Sequence, residues 1–255
     1  MRAKLLTLAC VIGFAIGMAG NAVCAEIKVL SAGAYKQVVL ALQPAFEKQT
    51  GHKLIVDNGT VGQLVKRIDG GEAFDIVVVS PGAIEDLTKK GKVAAGSRTL
   101  LARVGIGVMV KEGAARPDIS TVDAFKKSLL AAKSVAYIDP ASGGSSGIYL
   151  DGLFTKLGII DQIKPKAKLI NGGYVADHIA KGEAEIGIHQ ISEIVPVKAV
   201  TMVGPLPPEI QNFTTYAAGV AAASKVNEAA NALVKMLSGP AAEPVLKSKG
   251  MAPGA

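Results

Sequence analysis

Residues 26–87 repeat one unit three times: a short apolar strand, a turn of small residues, then apolar positions at helical spacing. Residues 26–31 alternate with Ile27 and Val29 on one side. Ser31-Ala32-Gly33-Ala34 then turns into a helix carrying Val38, Val39, Leu42 and Phe46 on one face, which Gly51 ends. Residues 52–56, the turn Asn58-Gly59-Thr60-Val61-Gly62 and a helix with Leu64, Val65 and Ile68 form the second unit. The third is residues 75–79, Ser80-Pro81 and a helix with Ile84 and Leu87 inward. This alternation predicts an α/β fold, and the unbroken apolar run at 75–79 suits a strand covered on both faces in a parallel sheet.

From Ser97 the pattern changes. Residues 103–111 read as one long strand, and Ser120 or Thr121 caps a new helix. Strands at 134–138, 168–171, 184–190 and 200–203 follow, with helices after the first two, and 204–208 is a stiff Gly/Pro connector. Residues 214–224 are again a long apolar strand, and two helices, 227–237 and 241–249, close the chain. Two long strands therefore flank the middle segment. The simplest topology is two α/β lobes with mixed sheets joined by a two-strand hinge: residues 26–109 and 215–255 form lobe I, and residues 110–214 form an inserted lobe II.

Three turns lie where strands hand over to helices: 31–34, 59–62 and 142–147. In an open α/β sheet such turns gather at the carboxyl ends of the strands, where ligands bind. The first amides of a helix lack intrahelical partners and carry partial positive charge, so these turns suit an anion without a formal cation. Pro140-Ala141-Ser142-Gly143-Gly144-Ser145-Ser146-Gly147 is the richest of them, with the hydroxyls of Ser142, Ser145 and Ser146 as further donors. The site expected from sequence comprises Ser31, Ala32, Gly33, Ala34, Thr60, Val61, Ser142, Ser145, Ser146, Gly172 and Gln190. Gly172 belongs to a fourth turn, and Gln190 ends a buried strand facing the cleft. The three histidines, His52, His178 and His189, lack ligand spacing, so neither a metal nor a cofactor is expected. His189 alternates with Gln190 and reads as pointing away from it, while Tyr149 and Glu193 read as exposed helix positions.

The N-terminus reads as a cleavable secretory leader: Arg2 and Lys4, an apolar run from Leu5 to about Gly20, then Val23-Cys24-Ala25 before Glu26. Cleavage is expected near Ala25, which leaves a periplasmic chain free of cysteine. No later segment stays apolar long enough to span a bilayer. The net charge of +7 is compatible with an anionic ligand, but the lysines are dispersed and only 4% of residues are aromatic, which argues against nucleic acid as a partner. A monomer is expected.

Ile27-Lys28-Val29-Leu30-Ser31-Ala32-Gly33-Ala34, Phe46-Glu47-Lys48-Gln49-Thr50-Gly51, Phe74-Asp75-Ile76-Val77-Val78, Gly147-Ile148-Tyr149, Glu185-Ile186-Gly187-Ile188 and Leu237-Ser238-Gly239-Pro240-Ala241-Ala242 resemble, in order and spacing, the periplasmic molybdate-binding proteins of ABC transporters. The resemblance covers nearly all of the chain after the leader. It implies a type II periplasmic binding protein fold, a small anion held between two lobes, and a membrane permease as partner. In that family, serine hydroxyls and amides of the first two strand-to-helix loops hold the oxyanion with a tyrosine hydroxyl from the second lobe. Here those serines fall on Ala34 and Val61 and the tyrosine on Gln190, with Ser31, Thr60 and Ser146 close by. Direct donors to a bare oxyanion are therefore fewer, each worth about 1.5–3 kcal/mol, and an organic di- or tricarboxylate is the expected ligand rather than molybdate.

The same resemblance extends to aconitate isomerases, which shift a proton along a tricarboxylate without a cofactor. That chemistry needs a base over an acidic C–H and donors for the developing enolate charge. Tyr149, His189 and Glu193 are the candidate bases.

Overall fold

The computed structural model describes residues 24–254, so the expected leader lies outside the described residues but for its last two. The elements are β1 Glu26–Ala32, α1 Gly33–Thr50, β2 Lys53–Gly59, α2 Val61–Asp69, β3 Ile76–Val79, α3 Pro81–Lys89, β4 Thr99–Lys111, α4 Val122–Ala131, β5 Val135–Ile138 and α5 Ser145–Lys156. They continue as α6 Ile160–Ile163, β6 Ala167–Ile170, α7 Val175–Ala180, β7 Ile186–Gln190, α8 Ile191–Ile194, β8 Val200–Pro205, β9 Phe213–Val220, α9 Asn227–Ser238, α10 Glu243–Ser248 and β10 Met251–Pro253.

The strands run in the order β2-β1-β3-β9-β4-β7-β5-β6, with β8 and β10 also paired to β4. β1 is parallel to β2 and β3, whereas β9 is antiparallel to both β3 and β4. The run at 75–79 thus has one parallel and one antiparallel neighbour. Its side chains alternate between two cores: Ile76 and Val78 pack with α1 and α9, and Val77 and Val79 with α2 and α3. A strand buried on both faces has no polar side, which is why its sequence is apolar throughout.

β4 joins the two halves. Its first part, through Gly105, pairs with β9, and from Ile106 onward it pairs with β7 and β8. At the changeover Gln211 substitutes for a neighbouring strand: its Oε1 accepts from Ile106 N at 2.8 Å and its Nε2 donates to Ile106 O at 2.9 Å. The second half buries its own two cores, one around Phe125, Tyr137 and Phe154, the other around Met109, Ile138 and Val175. The result is two α/β lobes that meet face to face. Gly62 N donates to Gly143 O at 3.1 Å, the Thr60 hydroxyl donates to Ser142 O, and Gln63 Nε2 donates to Asn171 Oδ1 at 3.1 Å. Gln37 Nε2 also donates to the Tyr174 hydroxyl at 2.7 Å.

Candidate functional site

Where the lobes meet they enclose a cavity of about 30 Å3, lined by the turns after β1, β2 and β5, by the end of β7, by Glu193 of α8 and by Tyr216 of β9. Parallel strands end together, so their following turns must converge on one edge of each sheet. Register makes this concrete: Ser31 pairs with Asn58 and Ala32 with Gly59, which puts the heads of α1 and α2 side by side.

The structure brings together Ala32, Gly33, Ala34, Thr60, Val61, Ser145, Ser146 and Gln190 of the residues expected from sequence. Neither α1 nor α5 has a side chain capping its N-terminus, so the first amides of both helices remain open beside the cavity. α2 differs: the Thr60 hydroxyl accepts from Gln63 N, and Gln63 Oε1 accepts from Thr60 N, a reciprocal capping box. Because the Thr60 hydroxyl also donates across to Ser142 O, it acts as cap and interlobe contact together.

Three expected residues lie outside the lining. Ser31 is buried, with its hydroxyl donating to Ala32 O at 3.0 Å. Ser142 donates to Asp139 O at 2.7 Å. Gly172 sits against the Gln63 amide, and its neighbour Gly173 takes the lining place. Gly59 and Gly144 line the cavity from within the expected turns, and Asn58, Ile138 and Tyr216 line it from outside them. For Gly144 the signal was present in the Ser/Gly run. Nothing local marks Tyr216, which comes from the hinge strand.

The end of β7 overturns two expectations. Glu193 is 7% exposed rather than a surface helix position, because the single turn of α8 folds back against α1. His189 does not point away from Gln190: both line the cavity. The chain leaves the strand at Gln190, whose backbone already departs from strand geometry at the head of α8, so the alternation of a continuing strand does not hold there. Tyr149 points elsewhere, its hydroxyl donating to Ile210 O at 2.8 Å.

Glu193 dominates the electrostatics. Its Oε2 lies 3.2 Å from His189 Nε2, and its Oε1 presses on the first residue of α1, where a Cβ at Gly33 would lie 2.5 Å away. Burial pushes the Glu193 carboxyl up to about 8 and holds His189 neutral, down to about 3. Burial, then the proximity of Glu193, raises the Tyr216 hydroxyl well above the usual tyrosine range, with Ser145 opposing. No lysine or arginine lines the cavity among the described residues; Lys36 reaches it only through Asn58, its Nζ 2.7 Å from Asn58 Oδ1.

Gln190 donates from Nε2 to Thr214 Oγ1 at 2.8 Å, and its buried Oε1 has no partner among the described residues; His189 Nδ1 and Ser192 Oγ are likewise unpaired. Since the threonine hydroxyl can donate or accept, Gln190 can turn its amide over, keep that bond, and present either end to the cavity.

A cavity walled by open helix termini, at the meeting of two lobes joined through β4 and β9, has close parallels among known proteins. The profile of the family described as "Bacterial extracellular solute-binding protein" matches residues 27–252. The chain belongs to this family. Within it, the solute-binding protein is 35% identical over 233 residues to an aconitate isomerase from a Pseudomonas species, covering 89% of this chain and 87% of that one. It is 29% identical over 240 residues to the molybdate-binding protein ModA of Azotobacter vinelandii, covering 91% and 92%. The solved periplasmic molybdate-binding protein from that organism superposes with a TM-score of 0.74 at 21% identity, over 89% of this chain and 98% of that one, which establishes the two-lobe periplasmic binding protein fold. The solute-binding protein thus has the fold of the molybdate-binding type of periplasmic binding protein. No helix among the described residues is long and apolar enough to cross a membrane, and these residues hold no group of three or more metal-ligating side chains.

Proposed function

We propose that this solute-binding protein holds a small unsaturated polycarboxylate between its lobes and shifts a proton from one carbon to another along it, as an aconitate isomerase does. The observation that carries the reading is Glu193: a buried carboxyl 3.2 Å from the nitrogen of a neutral histidine, inside a cavity whose other walls include the open heads of two helices. A receptor for a preformed oxyanion has no need of an ionisable carboxyl there, since in its ionised form it repels the ligand. A proton shift needs one. The 35% identity to an aconitate isomerase supports the same reading.

The groups divide as follows. One ligand carboxylate lies against the open heads of α1 and α5, near the amides of Gly33, Ala34, Ser145 and Ser146. The minor fraction of complexes in which Glu193 is ionised carries the reaction: its carboxylate takes the proton from the methylene carbon next to a ligand carboxylate. The C–H pair moves into the adjacent double bond, and charge spreads over the allylic system onto the carboxylate, which the amides stabilise as it grows. Glu193 then returns the proton to the far end of that system, and the double bond has moved by one carbon. Of the candidate bases Glu193 suits the task best: a base tuned to about 8 is stronger than an ordinary carboxylate, while His189 at about 3 is too weak. His189 orients the carboxyl. Tyr149, bonded to Ile210, has no part.

The cavity's 30 Å3 accommodates about one or two water-sized groups, hence one carboxylate. The remainder of a tricarboxylate requires the lobes to part from the contacts described above. Incubating the protein with trans-aconitate in D2O and following the cis isomer by proton NMR tests the reading: interconversion with deuterium entering the methylene position is expected, and two unchanged isomers overturn it.

A second reading, a carrier of a di- or tricarboxylate for ABC-type uptake without chemistry, is favoured by the hydrogen bonds that draw the lobes together over the cavity. Under it the protein binds aconitate or citrate and converts neither, in the periplasm and as a monomer, with residues 26–109 and 215–255 as one lobe and 110–214 as the other.

A further inference from the structure

We infer that Glu193 in its neutral acid form donates its O–H to the bound anion, so that the site takes up an anion and a proton as a pair. The inference requires an anion in this cavity but not the isomerisation proposed above.

The argument starts from what surrounds the carboxyl. From β7, His189 Nε2 stands 3.2 Å away. From β9 the Tyr216 hydroxyl, and from the head of α7 the Tyr174 hydroxyl, lie close enough for Glu193 to raise both. From α1, Gly33 is in contact with Oε1. None of these carries a full positive charge near neutral pH: the phenols are neutral, and His189 is held uncharged by burial. The ammonium of Lys36 lies behind the lining, with Asn58 between it and the cavity. Within the lining itself only the partial charges of the helix termini oppose negative charge, about half an elementary charge each.

That is too little for two anions. A ligand oxyanion and an ionised Glu193 would share a cavity of about 30 Å3, and like charges in one buried site do not both stay ionised. The carboxyl also presses on the head of α1, one of the two places where an anion is best held, so the ligand must lie beside it. As an acid, Glu193 changes from a repelling neighbour into a donor, and an O–H to carboxylate bond is among the stronger hydrogen bonds. Burial alone already pushes this carboxyl up to about 8, so near pH 7 the proton is in place before the anion arrives. Above that the anion must bring it in.

The test is calorimetry on the intact protein with tricarballylate, which has no double bond to shift, and with molybdate, at pH 7 and pH 9 in buffers of differing ionisation enthalpy. Expected are proton uptake near zero at pH 7, close to one per anion at pH 9, and affinity weaker by about tenfold at pH 9. Glu193→Gln should remove the uptake and make affinity independent of pH over this range. Equal affinity at the two pH values, no uptake at pH 9, or no binding of either probe overturns the inference. Because wild-type uptake is read directly, the result does not depend on how the variant folds. Proton uptake with tricarballylate and no turnover of trans-aconitate would remove the reaction and leave the acid–anion pair standing.

Discussion

His189 Nε2 stands 3.2 Å from Glu193 Oε2, one helical turn further along the chain, with both side chains buried at the junction of β7 and α8. One proton serves this pair, and burial places it on the carboxyl rather than the imidazole. Replacing Glu193 with glutamine keeps the shape and removes the base. The Glu193→Gln variant should lose isomerisation by about a hundredfold or more. In the unmodified protein turnover of the bound substrate should keep rising with pH beyond about 8, because the bound anion holds the carboxyl protonated above its ligand-free value. A pH profile of trans-aconitate turnover checks both.

The same pair governs stability. The folded chain keeps the Glu193 proton up to about 8, against 4.5 for an ordinary glutamate. Its contribution is therefore complete below 4.5 and is lost progressively as pH rises to about 8. His189 acts in the opposite sense: held neutral down to about 3 against an ordinary 6.5, it costs stability as pH falls between those values. Thermal unfolding of Glu193→Gln should show a gain over the native chain that grows from pH 4.5 to pH 8 and then levels off. A constant offset would place the carboxyl's effect in packing instead.

Much of this was legible in the sequence, for reasons that also explain the rest. α1, α2 and α5 announce themselves because a strand, a small-residue turn and helical spacing follow one another, and the parallel pairing of β1 with β2 then converts sequence order into proximity. The turns that carry Ala34, Val61 and Ser146 could thus be expected to converge, while the choice of Ala34 and Val61 within them came from the resemblance to molybdate-binding proteins. α8 gives no such signal. A helix of four residues has no periodicity to read, so Glu193 looked like any surface glutamate until its packing on Gly33 was seen. Tyr216 depends on β9 returning beside β3 and β4, a pairing between residues more than a hundred positions apart that no local pattern encodes. Thr60 shows the converse limit: the residue lines the cavity, but whether its hydroxyl is free for a ligand depends on Gln63 and Ser142, which no local pattern reveals.

Gln37 and Tyr174 test the closure of the lobes. Gln37 Nε2 donates to the Tyr174 hydroxyl at 2.7 Å, and neither residue lines the cavity. Tyr174→Phe removes one partly buried hydrogen bond that exists only when the lobes meet, worth about 1 kcal/mol. Affinity for tricarballylate should fall by about fivefold, carried by faster dissociation, while the melting temperature of the unliganded protein stays within about 2 °C. Stopped-flow dissociation measured beside a thermal scan separates closure from folding.

Gly143 provides the severest test, because two backbones meet there. Gly62 N donates to Gly143 O at 3.1 Å, and a Cβ on Gly143 would fall 2.6 Å from the Cα of Gly62, on a backbone with no flexible end to give way. Gly143 also has φ +74, a left-handed conformation that costs a residue with a side chain about 1 kcal/mol or more. Gly62→Ala carries the same clash, its Cβ 2.7 Å from Gly143 Cα, without the positive φ. Comparing the two separates strain within lobe II from obstruction between the lobes. Both variants should bind tricarballylate at least about tenfold more weakly, whereas only Gly143→Ala should lower the melting temperature of the unliganded chain. Small-angle scattering should then show the Gly62→Ala protein more extended than the native one when saturated with ligand. If Gly62→Ala binds and closes like the native chain, the contact of these two glycines is not what completes the site.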